Sequence, residues 1–361
     1  MWQPDLWKLP RRKWNKIHKK TVEQNYQMRK KEPAPHPDYN AAFSVNEIKV
    51  ALGNIKSVRQ RIISKWLKYS TLKSLITTFY EETKVLEQML SEKRESKSYG
   101  FQKKRVEVNE KAKTAINGND DVDNICRKPK TLIEILLENE DQMSKKTLRH
   151  HLITMANVNI MTLAGHDTTA ITNTIVIFML AHHQDVQNNV LQEINSIFSA
   201  GDPNRPPTYE DLQKMEYLER VIKETMRLYP AAPILARKIK NEMMIGKYLI
   251  PADTNILIPI NSLHLNPHYY KEPELFNPDN FLPEVCRSRH PYAYLPFSAG
   301  SRSCVGMKYA MFQMKTAIST LVRSFRFSPS EKCPLQRDLR ITYAVVLKFV
   351  DGCYVNIESR T

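Results

Sequence analysis

The reading of this chain turns on residues 297–306, Phe297-Ser-Ala-Gly300-Ser-Arg302-Ser-Cys304-Val-Gly306, which lead directly into MKYAMFQMKTAISTLVRSF. The second stretch lacks Pro and Gly and is rich in apolar side chains, so it reads as a buried helix. A cysteine just ahead of a helix N-terminus faces free backbone N–H groups and the positive end of the dipole, which favour its thiolate. The same N–H groups can donate to the sulfur and tune a metal bound there. Gly300 and Gly306 let a flat ligand come close to the backbone. Arg302 offers a planar fork to an anionic group such as a carboxylate. Against this stands a plainer reading, a buried structural thiol.

Two further segments upstream carry residues of the same kind. Residues 144–182 are the strongest helical candidate, with Ser144 as cap and no Pro before Pro203. Mid-way lies Ala164-Gly165-His166-Asp167-Thr168-Thr169. Gly and paired Thr inside a long helix predict a local distortion. Thr168 would hydrogen-bond a group in the opened turn, with Asp167 beside it as a proton donor; otherwise the pair is incidental. The stretch Asp211–Leu228 reads as one helix ending before Tyr229-Pro230, and its Glu224 and Arg227 are three apart on one face. Such a pair is either a buried network or a solvated bridge of little energy.

Between and after these helices the texture changes. MMIGKYLIP and TNILIPI read as small β elements, and LRITYAVVLKF followed by GCYVNIES reads as a β-hairpin. Towards the N-terminus, residues 45–97 look helical and amphipathic, residues 98–130 read as a flexible polar connection, and a helix with Leu132, Ile135 and Leu136 follows. The whole is mainly α with a minor β part.

Composition bounds the class. The 361 residues are 42% hydrophobic and 25% charged, which is globular rather than disordered. Net charge is +16, and residues 1–150 hold 32 of the 54 Lys+Arg against 19 of the 38 Asp+Glu. That basic excess suits an acidic protein partner or an anionic membrane surface. No nucleic-acid module is recognisable, so nucleic acid is not an expected partner. The five cysteines form no CxxC pair, and an odd count argues against a closed disulfide framework. No run of apolar residues is long enough to span a membrane as a helix.

Taken together, the spacing Phe297-x-x-Gly300-x-Arg302-x-Cys304-x-Gly306, the segment AGHDTT and Glu224-x-x-Arg227 resemble the motifs of the cytochromes P450, in their order along the chain. Details such as AGHDTTA, FNPDNFLPE and PFSAGSRSCVGMKYAM resemble clan-4, insect-type members. The resemblance is close from about residue 131 to the end. It implies the cytochrome P450 fold over 1–361 and a haem-thiolate monooxygenase, an oxidoreductase holding heme b through Cys304 as the iron ligand. By the same resemblance Phe297, Arg302 and Gly306 belong to the cofactor site, and Arg237 meets a haem propionate. Trp14 and His18 fall where the family has a Trp-x-x-x-Arg propionate contact, with His in place of Arg. Asp167 and Thr168 are the implied catalytic pair for oxygen activation, with His166 at the variable position. Glu224 and Arg227 form the implied structural network, whose third member is commonly an Arg at the position of Asn280. Ala164, Ile234 and Leu235 line the implied substrate pocket; an Ala at 164 excludes the ester by which some clan-4 members bond their haem.

The resemblance further implies electrons from NADPH through NADPH–cytochrome P450 reductase, dioxygen and an apolar fatty-acid, hydrocarbon or xenobiotic substrate. It also implies the cytoplasmic face of the endoplasmic reticulum membrane. The family's anchor, proline-rich hinge and first β elements have no counterpart here, so an N-terminally incomplete fold is expected. The competing expectation is a catalytically incompetent fragment.

Overall fold

The computed structural model describes residues 69–92, 99–100, 147–199, 205–343 and 345–360. Trp14, His18, the basic segment 1–31, all but two residues of the polar stretch 98–130, the helix expected around Leu132 and the cap Ser144 lie outside them.

Helix α1 spans Tyr69–Glu92. Its Leu72, Ile76, Phe79 and Thr83 recur at three- and four-residue intervals, Leu90 follows seven residues on, and all are buried, which is the stripe a helix presents to a core. A two-residue strand, β1, lies at Tyr99–Gly100. Helix α2 covers Thr147–His182 and runs unbroken past Gly165. From Ile175 to Ala181 every side chain is buried, so this part is enclosed on all sides. Helix α3, Gln184–Phe198, follows after His183.

The segment read as one helix from Asp211 is two: α4 at Tyr209–Lys214 and α5 at Glu216–Leu228, broken at Met215 (φ −75°, ψ 69°). Thr208 and Asp211 cap α4 reciprocally. The cap of α5 comes from another helix: Glu193 accepts the N–H groups of Tyr217 and Leu218 at 2.6 and 2.9 Å. A cap supplied across 24 residues leaves no local signal, which is why the break was not legible. Tyr229, φ −131°, ends α5 before Pro230, as steric clash with a following proline requires.

Strand β2 (Ile234–Lys238) precedes the hairpin β3 (Met243–Ile245) and β4 (Tyr248–Ile250), then β5 (Asn255–Pro259). β2 pairs antiparallel with β5, and β3 with β4. Short helices α6 (Ile260–His264) and α7 (Pro283–Ser288) lead to the loop at 297–306 and to α8, Met307–Ser324. α8 passes without a gap into β6, Phe325–Pro329. β7 (Ile341–Tyr343) and β8 (Leu347–Phe349) form a hairpin. β9 (Tyr354–Ser359) does not join it, contrary to the reading of the last stretch as one hairpin. It lies between β1 and β6 in a three-stranded antiparallel sheet.

The main core joins α1, α2, α3, α5 and α8 to the β6–β9 sheet; a second cluster sits under β2 and β5. One buried amide fixes the sheet to the helices. Gln187, fully buried, donates to Leu180 O and Phe327 O at 2.9 and 2.8 Å and accepts Phe327 N–H at 3.0 Å. All its polar atoms are thereby paired, as a buried amide requires. Among the described residues no helix is long and apolar enough to cross a membrane.

Candidate functional site

The loop ahead of α8 is wound tightly. Ser298 and Gly300 take positive φ, 62° and 73°. Glycine does so freely, whereas the left-handed conformation at Ser298 costs about 1 kcal/mol. The turn is closed by Ser298 N–H to Leu295 O at 3.1 Å, Ser303 N–H to Gly300 O at 3.2 Å and Cys304 N–H to Phe297 O at 2.8 Å. Cys304 thus sits three residues before Met307, the first residue of α8. Burial pushes its thiol up from the usual range, and a hydrogen bond from Gly306 N–H pulls it the other way. The residue nonetheless retains exposed surface, as expected of a sulfur walled by protein on most sides and open on one.

Two guanidinium groups converge on this loop. Arg237, on β2, donates to Ser298 Oγ at 3.2 Å and to the Ala236 carbonyl at 2.9 Å. Its Nε is buried without a partner. Burial and then the charge of Arg302 lower its pKa. Among the described residues neither arginine has an ion-pair partner (N···O within 4 Å). Two like charges held together with an orphaned donor call for an anion between them.

The chemistry of this donor set fits a haem. Among the described residues no group of three or more His, Cys, Asp or Glu could hold a metal. A metal carried in a macrocycle would bring its own chelating frame to Cys304. A haem would supply that frame, Arg237 and Arg302 are cations that would suit its propionates, and ligation to iron would favour the thiolate of Cys304.

The helix motif at 164–169 is placed differently from expectation. α2 does not open at Gly165. Thr168 Oγ1 donates to Ala164 O at 2.7 Å and thereby stays within its own helix. A hydroxyl that bonds back to the carbonyl four residues earlier replaces the distortion predicted from the residue types. Ala164, Gly165 and His166 are exposed, while Asp167 and Thr168 are half-buried. His166 Nδ1 lies 3.2 Å from Asp167 Oδ1. Asn173 of α2 donates to Gln313 of α8 at 3.0 Å, tying together the two helices that carry Thr168 and follow Cys304.

Glu224 and Arg227 are both 0% exposed, which rules out the solvated bridge. Arg227 donates all five of its N–H groups. Nε and Nη2 bond the two Glu224 oxygens at 2.7 Å, Nη1 reaches His264 O (3.1 Å) and Pro273 O (2.6 Å), and Nη2 also reaches Leu275 O (3.0 Å). Glu224 Oε1 additionally accepts Asn277 N–H at 2.9 Å and Asn280 Nδ2 at 3.1 Å. Asn280 is therefore part of the network as a neutral donor. Arg289 bonds Asn280 O at 2.6 Å and stacks on Tyr270, whose other neighbour is Arg227, with centroid distances of 4.4 and 4.7 Å.

Strand alternation separates the two pocket candidates on β2. Leu235 shares a face with Arg237, opposite Ile258 and Ile256, whereas Ile234 points to the other face and is 51% exposed. The two cannot line one wall. Sequence reasoning missed Ser298, His264, Tyr270 and Arg289; each acts through a partner distant in the chain, and none stands in a pattern that marks it.

A model of the family described as Cytochrome P450 matches residues 39–348. Curated relatives include cytochrome P450 4g15 of Drosophila melanogaster, 41% identical over 206 residues, 56% of this chain and 35% of that protein. Cytochrome P450 4c21 of Blattella germanica is 37% identical over 256 residues, 71% of this chain and 49% of that protein. Cytochrome P450 4V2 of Homo sapiens is 35% identical over 233 residues, 64% of this chain and 43% of that protein. The chain thus spans half or less of the length of these relatives.

Proposed function

The chain belongs to the cytochrome P450 family, and from that premise we propose that it carries the haem-thiolate centre of a monooxygenase that inserts one atom of dioxygen into an apolar substrate. The observation that carries this reading is that the loop presenting Cys304 at the head of α8 also carries Arg302 and is bonded at Ser298 by Arg237, two cations that influence each other and have no ion-pair partner among the described residues. Bound haem b supplies the iron at which dioxygen is reduced and activated.

The chain's own residues do the rest. Cys304 donates its sulfur, and Gly306 N–H moderates the charge on it. Arg237 and Arg302 take the propionates. The Asp167 carboxyl and the Thr168 hydroxyl, the latter released from Ala164 O, relay protons toward the site. The apolar side chains of Ala164 and Leu235 line the substrate side of the site and suit a fatty-acid, hydrocarbon or xenobiotic substrate. Electrons come from NADPH through NADPH–cytochrome P450 reductase, and the membrane of the endoplasmic reticulum is the setting.

The test is reconstitution of the haem-loaded protein with reductase, NADPH and a medium-chain fatty acid. Hydroxylated product is expected, with Thr168→Ala reducing product formed per turnover by roughly a hundredfold. Absence of product from the haem-loaded wild type, across fatty-acid and hydrocarbon substrates, contradicts the reading.

A further inference from the structure

His264 has no part in the chemistry described so far, yet it touches both halves of the site. It closes α6 and is fully buried. Its backbone carbonyl accepts Arg227 Nη1 at 3.1 Å. Its ring Nε2 accepts the N–H of Leu295 at 2.8 Å. Nε2 must then be unprotonated, so the proton sits on Nδ1, against the carbonyls of Arg227 and Met226, although no hydrogen bond there has good geometry. Burial, reinforced by the positive charge of Arg227, lowers the ring's pKa to about 3, which keeps it neutral and able to accept.

Leu295 is where the approach to the cysteine loop is set. Its N–H goes to His264, and its C=O accepts the N–H of Ser298, a residue with positive φ. Two residues beyond Leu295, Phe297 O closes the loop on Cys304 N–H. The neighbouring residues are held in parallel: Tyr270 donates to Ala293 O at 3.3 Å and Tyr294 to Lys223 O at 2.8 Å. Those two ties reach the hydroxyl or carbonyl of flanking residues. Only the His264 ring fixes the backbone N–H of Leu295 itself, which is buried and has no water to fall back on.

We infer that His264 is a positioning residue that transmits the rigidity of the Glu224–Arg227 pair to the loop presenting Cys304. Its bearing on the thiolate rests on the haem-thiolate reading; the mechanical coupling does not.

The test uses the full chain as wild type, His264→Leu, which removes the acceptor, and His264→Gln, whose carbonyl replaces Nε2. Hydrogen exchange of the peptide covering 293–304 is read without haem. Loss of one buried hydrogen bond predicts exchange roughly tenfold faster in His264→Leu and close to wild type in His264→Gln. With haem, the reduced carbon-monoxide spectrum of His264→Leu should show part of the thiolate band replaced by the shorter-wavelength band of a displaced or protonated thiol, and His264→Gln should restore it. Equal exchange in all three proteins overturns the coupling, even where the wild type forms the thiolate band. No thiolate band in the wild type overturns the haem-thiolate reading while exchange still decides the coupling. Should His264→Leu not fold, His264→Asn, too short to reach Leu295, replaces it: faster exchange than His264→Gln supports the inference and equal exchange overturns it.

Discussion

Replacing Arg227 by lysine keeps the charge and removes the geometry. Arg227 has five N–H groups, all donated to acceptors in a fully buried site. Lysine has three N–H groups, so at least two acceptors among Glu224 and the carbonyls of His264, Pro273 and Leu275 lose their partner. An unpaired buried acceptor costs about 1–3 kcal/mol, which puts the variant roughly 3 kcal/mol below wild type. Complete removal, as in Arg227→Leu, strands the Glu224 charge and should cost more, about 3–5 kcal/mol. At about 2.1 cal/mol/K of unfolding entropy per residue, each kcal/mol moves the thermal midpoint of the 361-residue chain by about 1.3 °C, so Arg227→Lys should melt roughly 4 °C lower by circular dichroism. The aromatic contact to Tyr270 softens too, because an ammonium does not stack as a guanidinium does. A midpoint within about 1 °C of wild type would refute the claim that all five bonds are structural.

Other consequences can be measured separately. The folded protein keeps His264 neutral down to about pH 3, whereas the unfolded chain takes up the proton near 6.5. Between those values the unfolded state binds more protons, so stability falls as pH falls, by at most about 1.4 kcal/mol per unit; urea titrations at neutral and mildly acidic pH should show a shallower fall in His264→Gln, and an identical fall would remove His264 from the account. Asn280→Ala deletes one bond to the buried carboxylate of Glu224 and should lower stability by about 1.5–3 kcal/mol by urea unfolding; an unchanged midpoint would mean Asn277 N–H suffices. Arg237→Ala with Arg302→Ala should weaken haem retention in a competition assay with apomyoglobin by at least about tenfold, at about 1.5–3 kcal/mol per charge-assisted bond, while raising or leaving unchanged the stability of the haem-free chain, because two like charges are relieved; equal retention would contradict the propionate assignment. Gln187→Leu leaves the Phe327 N–H unpaired, whereas Phe327 O keeps the Gln184 Nε2 donor at 2.8 Å, and should cost about 1–3 kcal/mol by urea unfolding; a change below about 0.5 kcal/mol would show that the amide does not hold the sheet.

What was legible in the sequence was what repeats or what stands in a fixed spacing. The long α2, the buried α8 and the Cys304 loop between glycines follow from periodicity and from residue types that few other arrangements use. The Met215 break was hidden because the cap of α5 comes from Glu193 on another helix. The place of β9 was hidden because strands advertise an apolar face but not their neighbour, and its neighbours are β6 and a two-residue strand far upstream. The Thr pair misled in another way: Gly165 and Thr168 suggested an opened turn, while the helix keeps its form by the hydroxyl bonding back to Ala164. The convergence of Arg237 on Arg302 and the reach of His264 to Leu295 are tertiary facts between segments more than thirty residues apart in sequence, and no local pattern encodes them.

The central claim is that Cys304 binds haem iron as a thiolate, and the reduced carbon-monoxide spectrum tests it most directly. Wild-type protein supplied with haem should show the long-wavelength Soret band from which the cytochrome P450 family takes its name. Cys304→Ser should lose that band while keeping the circular dichroism of the haem-free wild type. A long-wavelength band that persists in Cys304→Ser, or a wild-type protein that binds haem only with the shorter-wavelength band, would contradict the account.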